Sequence, residues 1–261
     1  AFLLAGGSWP TIHSWWVPLL FVLAMLFTLG VSVIILIEDS IRYYSSFLPM
    51  LYTELMSQSQ RVISEGMNLT HKVMRMRARP KILLCTSYEE AWECYQKYRR
   101  HLIGVVSDVE FPRDGRKDTG AGFDLARRIR EDTLDLPIML QSRDPGVVDF
   151  ARTVQADVVM KGSPTLLQDL REFMLYNFGF GDFIFRRPDG SEVNRAGDLR
   201  LMEQILSEIP DEVIDYHAEH NHFSTWLKAR TEFALAQRLR PRKVSDYDSP
   251  EHLRQDLIRS I

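Results

Sequence analysis

From residue 31 to residue 177 the chain repeats one alternation. A short apolar run, often β-branched, is followed by a longer stretch whose apolar residues recur every three or four positions. The short runs are 31–37, 82–85, 102–108, 137–142 and 157–161. Runs of this length, set between helical patterns, predict strands buried on both faces of a parallel sheet. The intervening stretches predict helices. Phe47, Leu48, Leu51 and Leu55 start one apolar face that continues to Val62 and Ile63, with Gly66 as its stop; residues 69–79 predict a further short helix halted by Pro80. Ala91, Trp92, Tyr95 and Tyr98 mark a second face, and Leu125, Ala126 and Ile129 a third. Val147, Phe150, Ala151 and Val154 mark a fourth. In the last, Leu166, Leu167, Leu170, Phe173 and Met174 are expected to be buried, after a Ser163 cap with Pro164 in the first turn. Five strands alternating with helices predict an α/β fold, a five-stranded doubly wound parallel sheet.

Gly179-Phe180-Gly181 breaks the alternation. Beyond it the pattern predicts a hairpin over 182–193 turning at Pro188-Asp189-Gly190, then helices at 198–207, 211–220 and 224–239. Arg240-Pro241-Arg242-Lys243 is a basic break, and Ser249-Pro250-Glu251 opens a last helix with Leu253, Leu257 and Ile261 on one face. The expected organisation is an apolar segment at 1–30, an α/β domain at 31–178, and a hairpin plus helical linker region at 179–261 leading to a further domain. The last helix is still periodic at the final residue, which fits that continuation.

Residues 1–37 contain no Asp, Glu, Lys or Arg. Two readings of this front segment stand. Residues 9–30 form a membrane helix with Trp15 and Trp16 at the interface, or a buried helix of an upstream domain in a chain that starts with Ala. No basic n-region marks it as a secretory signal. A net charge of −3 leaves no basic excess to neutralise phosphates, which excludes a nucleic-acid protein. Two cysteines, Cys85 and Cys94, make no disulfide framework. The expected location is the cytoplasm, with tethering to the inner face of the membrane if the front segment enters lipid.

Polar residues of complementary kinds close four of the strands: Glu38-Asp39, Asp108, Ser142 and Lys161. In a parallel sheet these ends share one side, where open α/β sheets gather their reactive groups. Carboxylates plus a backbone carbonyl make a hard-oxygen site that Mg²⁺ accepts. A lysine and a hydroxyl can hold phosphoryl oxygens, and an Asp carboxylate can accept a phosphoryl group as an acyl phosphate.

This set of residues resembles the receiver domain of two-component response regulators over 31–177. The resemblance implies a flavodoxin-like fold in which Glu38 and Asp39 are the acidic pair that binds Mg²⁺ and Asp108 is the phospho-acceptor. It further implies that Glu110 lends its backbone carbonyl to the metal, that Ser142 is the switch hydroxyl, and that Lys161 grips the phosphoryl group. Its donor would be a histidine kinase or a phosphotransfer protein. Three positions depart from the pattern. The gap from Asp39 to Ile82 is long, so the first helix is extended or an insertion is present. Gly162 follows Lys161 where receivers usually have Pro, and Val158 takes the aromatic switch position. Ile-Glu-Asp-Ser-Ile-Arg-Tyr-Tyr-Ser-Ser-Phe-Leu-Pro from Ile37, Met-Arg-Ala-Arg-Pro-Lys-Ile-Leu-Leu from Met76, Phe-Gly-Phe-Gly-Asp-Phe from Phe178 and Leu-Arg-Pro-Arg-Lys-Val-Ser-Asp from Leu239 are similar to the N-terminal region of bacterial phosphoenolpyruvate synthase-like proteins. That likeness implies a regulatory module ahead of a catalytic domain, with no kinase activity in these residues alone.

Three functions compete: a phosphorylation-dependent receiver, a degenerate receiver that docks without phosphorylation, and an aspartate-nucleophile phosphohydrolase. The last wants an Asp two residues beyond its nucleophile, where this chain has Glu110. The His217, Glu219, His220 and His222 group reads as caps and hydrogen bonds at a helix junction rather than a metal site. His217 and Glu219 cannot share a helix face, and His220 and His222 do no better unless the helix breaks at Asn221. The Arg240–Lys243 turn reads as solvated, the Met and Arg residues of 73–79 as an amphipathic surface, and Trp92, Tyr95 and Tyr98 as core.

Overall fold

The computed structural model describes residues 32–64, 73, 76, 79–240 and 244–261. The apolar segment at 1–30, the Gly66 stop, most of 69–79 and the basic break at 241–243 lie outside the described residues. Among the described residues no helix is long and apolar enough to cross a membrane.

Strands β1 (Val33–Ile37), β2 (Lys81–Cys85), β3 (Leu102–Asp108), β6 (Ile138–Ser142) and β7 (Asp157–Met160) form one parallel sheet in the order β2-β1-β3-β6-β7. This is the flavodoxin-like doubly wound order, with its switch point between β1 and β3. Side chains alternate along each strand. Val33, Ile35, Ile37 and Val105 enter a core beneath α2 (Tyr88–Tyr98), α3 (Ala121–Asp132) and α4 (Val147–Thr153). Ile34, Leu36, Val106 and Met139 enter another beneath α1 (Ile41–Ser64) and α5 (Leu166–Tyr176). The central strands β1 and β3 are buried throughout. Strand β2 lies at the edge, so Lys81 and Leu84 are exposed.

Helix α1 is extended to 24 residues, which fills part of the long gap before β2. A two-residue turn links β4 (Phe111–Arg113) to β5 (Arg116–Asp118), directly after β3. Its residues Asp114 and Gly115 have φ of 51° and 71°, the positive pair that a type I′ hairpin needs. The apolar alternation did not reveal this hairpin, because strands this short carry no period. Helix α5 starts at Leu166, so Pro164 lies ahead of the helix rather than in its first turn, and Ser163 Oγ accepts from Thr165 N–H. Leu167 and Phe150, both expected inside, are exposed; each sits at the margin of its helix's apolar face.

After Gly181 come β8 (Phe183–Arg186) and β9 (Glu192–Ala196), an antiparallel pair, then α6 (Leu199–Leu206), α7 (Asp211–Glu219), α8 (His222–Ala229), α9 (Phe233–Leu239) and α10 (Pro250–Ser260). Ser249 caps α10 by accepting from His252 N–H. The helix expected over 224–239 is two helices, broken at Thr231 with φ of 65°. The break turns the buried Arg230 guanidinium onto the carbonyls of Gly179, Gly181 and Gly197, at 3.2, 3.0 and 3.2 Å. Phe183 stacks on Phe223 at 4.9 Å within this region's own core. Ala229 packs into the core under α1, where Gln58 donates to its carbonyl at 3.5 Å. Arg61, further along α1, pairs with Asp182 at 3.1 Å.

Candidate functional site

Each acidic or basic residue expected at a strand end lies at the same rim of the sheet. Glu38 and Asp39 follow β1, Asp108 ends β3, Ser142 ends β6, and Lys161 follows β7. Asp108 pairs in register with Gln141, one residue before Ser142, and Lys161 N–H donates to the Ser142 carbonyl at 2.7 Å. Gly122 brings α3 against this rim. Its N–H donates to the Val109 carbonyl at 3.0 Å, and a Cβ there would stand 2.3 Å from the Asp108 carbonyl oxygen.

Lys161 Nζ lies 2.6 Å from Glu38 Oε2 and 2.5 Å from Asp108 Oδ2. The Lys161 side chain is 4% exposed and that of Glu38 is fully buried. Burial pushes the Glu38 carboxyl above its ordinary range; the Lys161 hydrogen bond pulls it back, and the neighbouring Asp108 charge adds to the rise. Asp108 Oδ1 accepts from the Val109 N–H at 2.7 Å, so both oxygens of this carboxylate are held in place. Glu38, exposed Asp39 and Asp108 can each aim one oxygen so that all three lie within 4.8 Å of one another. Three carboxylates around one ammonium leave excess negative charge, and hard oxygen donors so placed fit a divalent cation. The Glu110 carboxylate sits outside this group, on Lys117 at 2.9 Å. Ser142 Oγ accepts from Asp144 N–H at 3.1 Å, which leaves its own proton available. Gly162 has φ of 93°, a conformation that Pro could not adopt. Val158 packs against the core of the α2 face.

Two side chains that the sequence did not single out also stand here. Tyr43, in the first turn of α1, places its ring centroid 4.4 Å from Lys161 Nζ. Its hydroxyl accepts from Arg143 Nε at 3.0 Å and Nη2 at 2.5 Å. Their only sequence signal is position, just past the ends of β1 and β6.

The three histidines form no metal group among the described residues. Asn221, with φ of 54°, breaks the chain between α7 and α8, and His217 Nδ1 meets His222 Nδ1 at 2.9 Å. His217 Nε2 accepts from Arg186 N–H at 2.8 Å, so the ring proton sits on Nδ1 and is donated to His222. Burial lowers His217 to about 3 and His222 to about 4, and both rings are neutral.

No family model matches the chain, and no curated protein matches it. Solved structures do. The chemotaxis protein CheY4 of Vibrio cholerae is 16% identical, with a TM-score of 0.37 over 56% of this chain and 98% of its own. A response regulator receiver domain protein from Clostridium thermocellum is 17% identical, with a TM-score of 0.36 over 56% and 92%. The Mn²⁺-bound form of response regulator Rcp1 is 13% identical, with a TM-score of 0.34 over 56% and 93%. Likeness of this degree carries no activity across. Topology and side chains define a flavodoxin-like α/β protein with an acid-and-lysine pocket at the carboxyl ends of its strands.

Proposed function

We propose that the chain is a receiver-like signalling module in which Asp108 accepts a phosphoryl group with Mg²⁺ bound. The observation that carries this reading is the convergence of Glu38 and Lys161, just past the first and last strands of the parallel sheet in sequence, around the Asp108 carboxylate. Glu38, Asp39, Asp108 and the Glu110 backbone carbonyl would hold the cation, which supplies positive charge opposite the phosphoryl oxygens. An Asp108 oxygen attacks phosphorus in the phosphohistidine of a histidine kinase or phosphotransfer protein. A P–O bond forms and the P–N bond breaks; the imidazole nitrogen keeps the electron pair and takes up a proton. Lys161 then shifts from carboxylate to phosphoryl oxygen, and Ser142 donates its free proton to another. The added charge at this rim biases the β6 and β7 ends. We extend the proposal to the target, a phosphoenolpyruvate synthase-like catalytic region following this one, on the strength of the sequence resemblance alone.

The test is beryllofluoride with Mg²⁺ on the full chain, following the amide resonances of Ser142 and Lys161. Both shift in wild type and neither in Asp108→Ala. No shift in either protein would overturn phosphorylation in favour of a docking module. Steady turnover of a phosphate ester would instead point to a hydrolase, a reading that the engagement of Glu110 by Lys117 disfavours.

A further inference from the structure

Arg143 is an exposed guanidinium at the mouth of a pocket built for anionic oxygens, and its resting partner is uncharged. It follows Ser142 directly, and its backbone is fixed. Asp144 N–H donates to Ser142 Oγ, and Gly146 N–H to Asp144 Oδ1 at 2.8 Å, so the loop is braced and only the side chain is free to swing. Among the described residues Arg143 forms no ion pair, whereas Arg99, Arg113, Arg127 and Arg171 around the same sheet do. Both of its donors rest instead on the Tyr43 hydroxyl, and its guanidinium carbon is 5.3 Å from the Tyr43 ring centroid. Tyr43 in turn covers Lys161, whose ammonium holds Asp108. Arg143, Tyr43, Lys161 and Asp108 therefore form one connected series. The Tyr43 hydrogen bond chiefly, and after it the fields of Asp108 and Glu38, hold the guanidinium pKa above its ordinary value.

We propose that Arg143 is a phosphoryl-binding residue, parked on the Tyr43 hydroxyl and transferred to the phosphoryl oxygens once Asp108 carries the group. This deepens the reading of the Asp108 site and rests on it. The driving force is the difference between acceptors. A planar fork of donors bonds a phosphoryl dianion far better than a neutral phenol, and a lysine ammonium cannot reproduce that two-point contact. Transfer also frees the Tyr43 hydroxyl, so the event is reported at the first turn of α1. Covalent change at Asp108 would thus be read on the β1 side of the crevice as well as at β6 and β7.

Beryllofluoride affinity in saturating Mg²⁺, measured by calorimetry on the full chain, tests this, with Mg²⁺ affinity measured separately. Arg143→Ala is expected to weaken beryllofluoride about tenfold, the worth of one charge-assisted contact, without weakening Mg²⁺. Tyr43→Phe removes only the parking acceptor and is expected to strengthen beryllofluoride by about threefold, because no hydrogen bond is then surrendered. Arg143→Lys recovers only part of the loss. If wild type binds beryllofluoride and Arg143→Ala binds it equally well, this inference fails while the receiver reading stands. If Arg143→Ala weakens Mg²⁺ to the same degree, the residue shapes the pocket and does not grip the phosphoryl group. If wild type does not bind at all, both readings fall together.

Discussion

The Glu38–Asp108–Lys161 pocket and the His217–His222 pair both take ionisable groups away from water, by opposite routes. In the pocket the charges are kept and only partly matched, with an ammonium between two carboxylates and excess negative charge left over. In the histidine pair the charge is shed. Each ring is neutral, and one proton between two nitrogens with one backbone N–H satisfies the facing atoms. A cluster that retains unmatched charge is held ready for a ligand of opposite sign, whereas one that discards charge is finished as it stands. The comparison thus separates a binding site from a packing device, although both are rich in groups that chelate metals.

The largest effect should come from Lys161→Met, which leaves two buried carboxylates facing each other and costs about 3 kcal/mol in urea unfolding. Mg²⁺ should recover part of that loss. A loss that Mg²⁺ cannot touch would mean that the pocket is a structural ion pair. Next is the acid limb of stability. His217 and His222 titrate near 3 and 4 when folded and near 6.5 when unfolded, so the unfolded chain binds more protons through that window. Stability is therefore complete above about pH 7.5 and falls as the pH drops, by about 2 kcal/mol for the two rings together at about pH 5.8. Guanidinium melts at a series of pH values measure it, and a flat profile would show that the rings are charged or solvated. His217→Phe should remove about half of that limb, leaving the His222 share, and cost about 1 kcal/mol at pH 8, where it leaves the Arg186 N–H unpaired. The smallest effect is on the pocket. Because Glu38 titrates high, its proton competes with the cation, and Mg²⁺ affinity should rise with pH until Glu38 is fully ionised. Calorimetry at pH 5.5 and 8 checks the sign.

Much of this was legible in the chain. Asp108 and Lys161 stand where apolar runs stop abruptly, and a parallel sheet brings such stops to one rim. A helix break at Asn221 was legible from a different signal, the two-residue spacing of His220 and His222, which fits no single face. Contacts decided by distant partners were not legible. Thr231 adopts a left-handed conformation next to Arg230, whose guanidinium meets three carbonyls far back in the chain, and no Gly or Pro announces it. Tyr43 and Arg143 are one hundred residues apart, and each taken alone looks like a solvated side chain. Leu167 and Phe150 show the limit of periodicity, which marks a face but not how far the neighbouring element extends over it.

Helix α1 begins at the mouth of the crevice and ends among the residues that anchor the second half of the chain. Tyr43 and Arg61 are separated by about 27 Å along its axis. A rod of that length turns a small tilt at one end into a larger sideways displacement at the other, and Gln58 and Arg61 stand where that displacement is greatest. Pro49 lies inside the rod and lacks the amide hydrogen that would stiffen the turn before it, which locates the bend if the two ends move apart. The rim that gathers the acids and the surface that holds Ala229 and Asp182 are thereby joined by a single continuous piece of backbone.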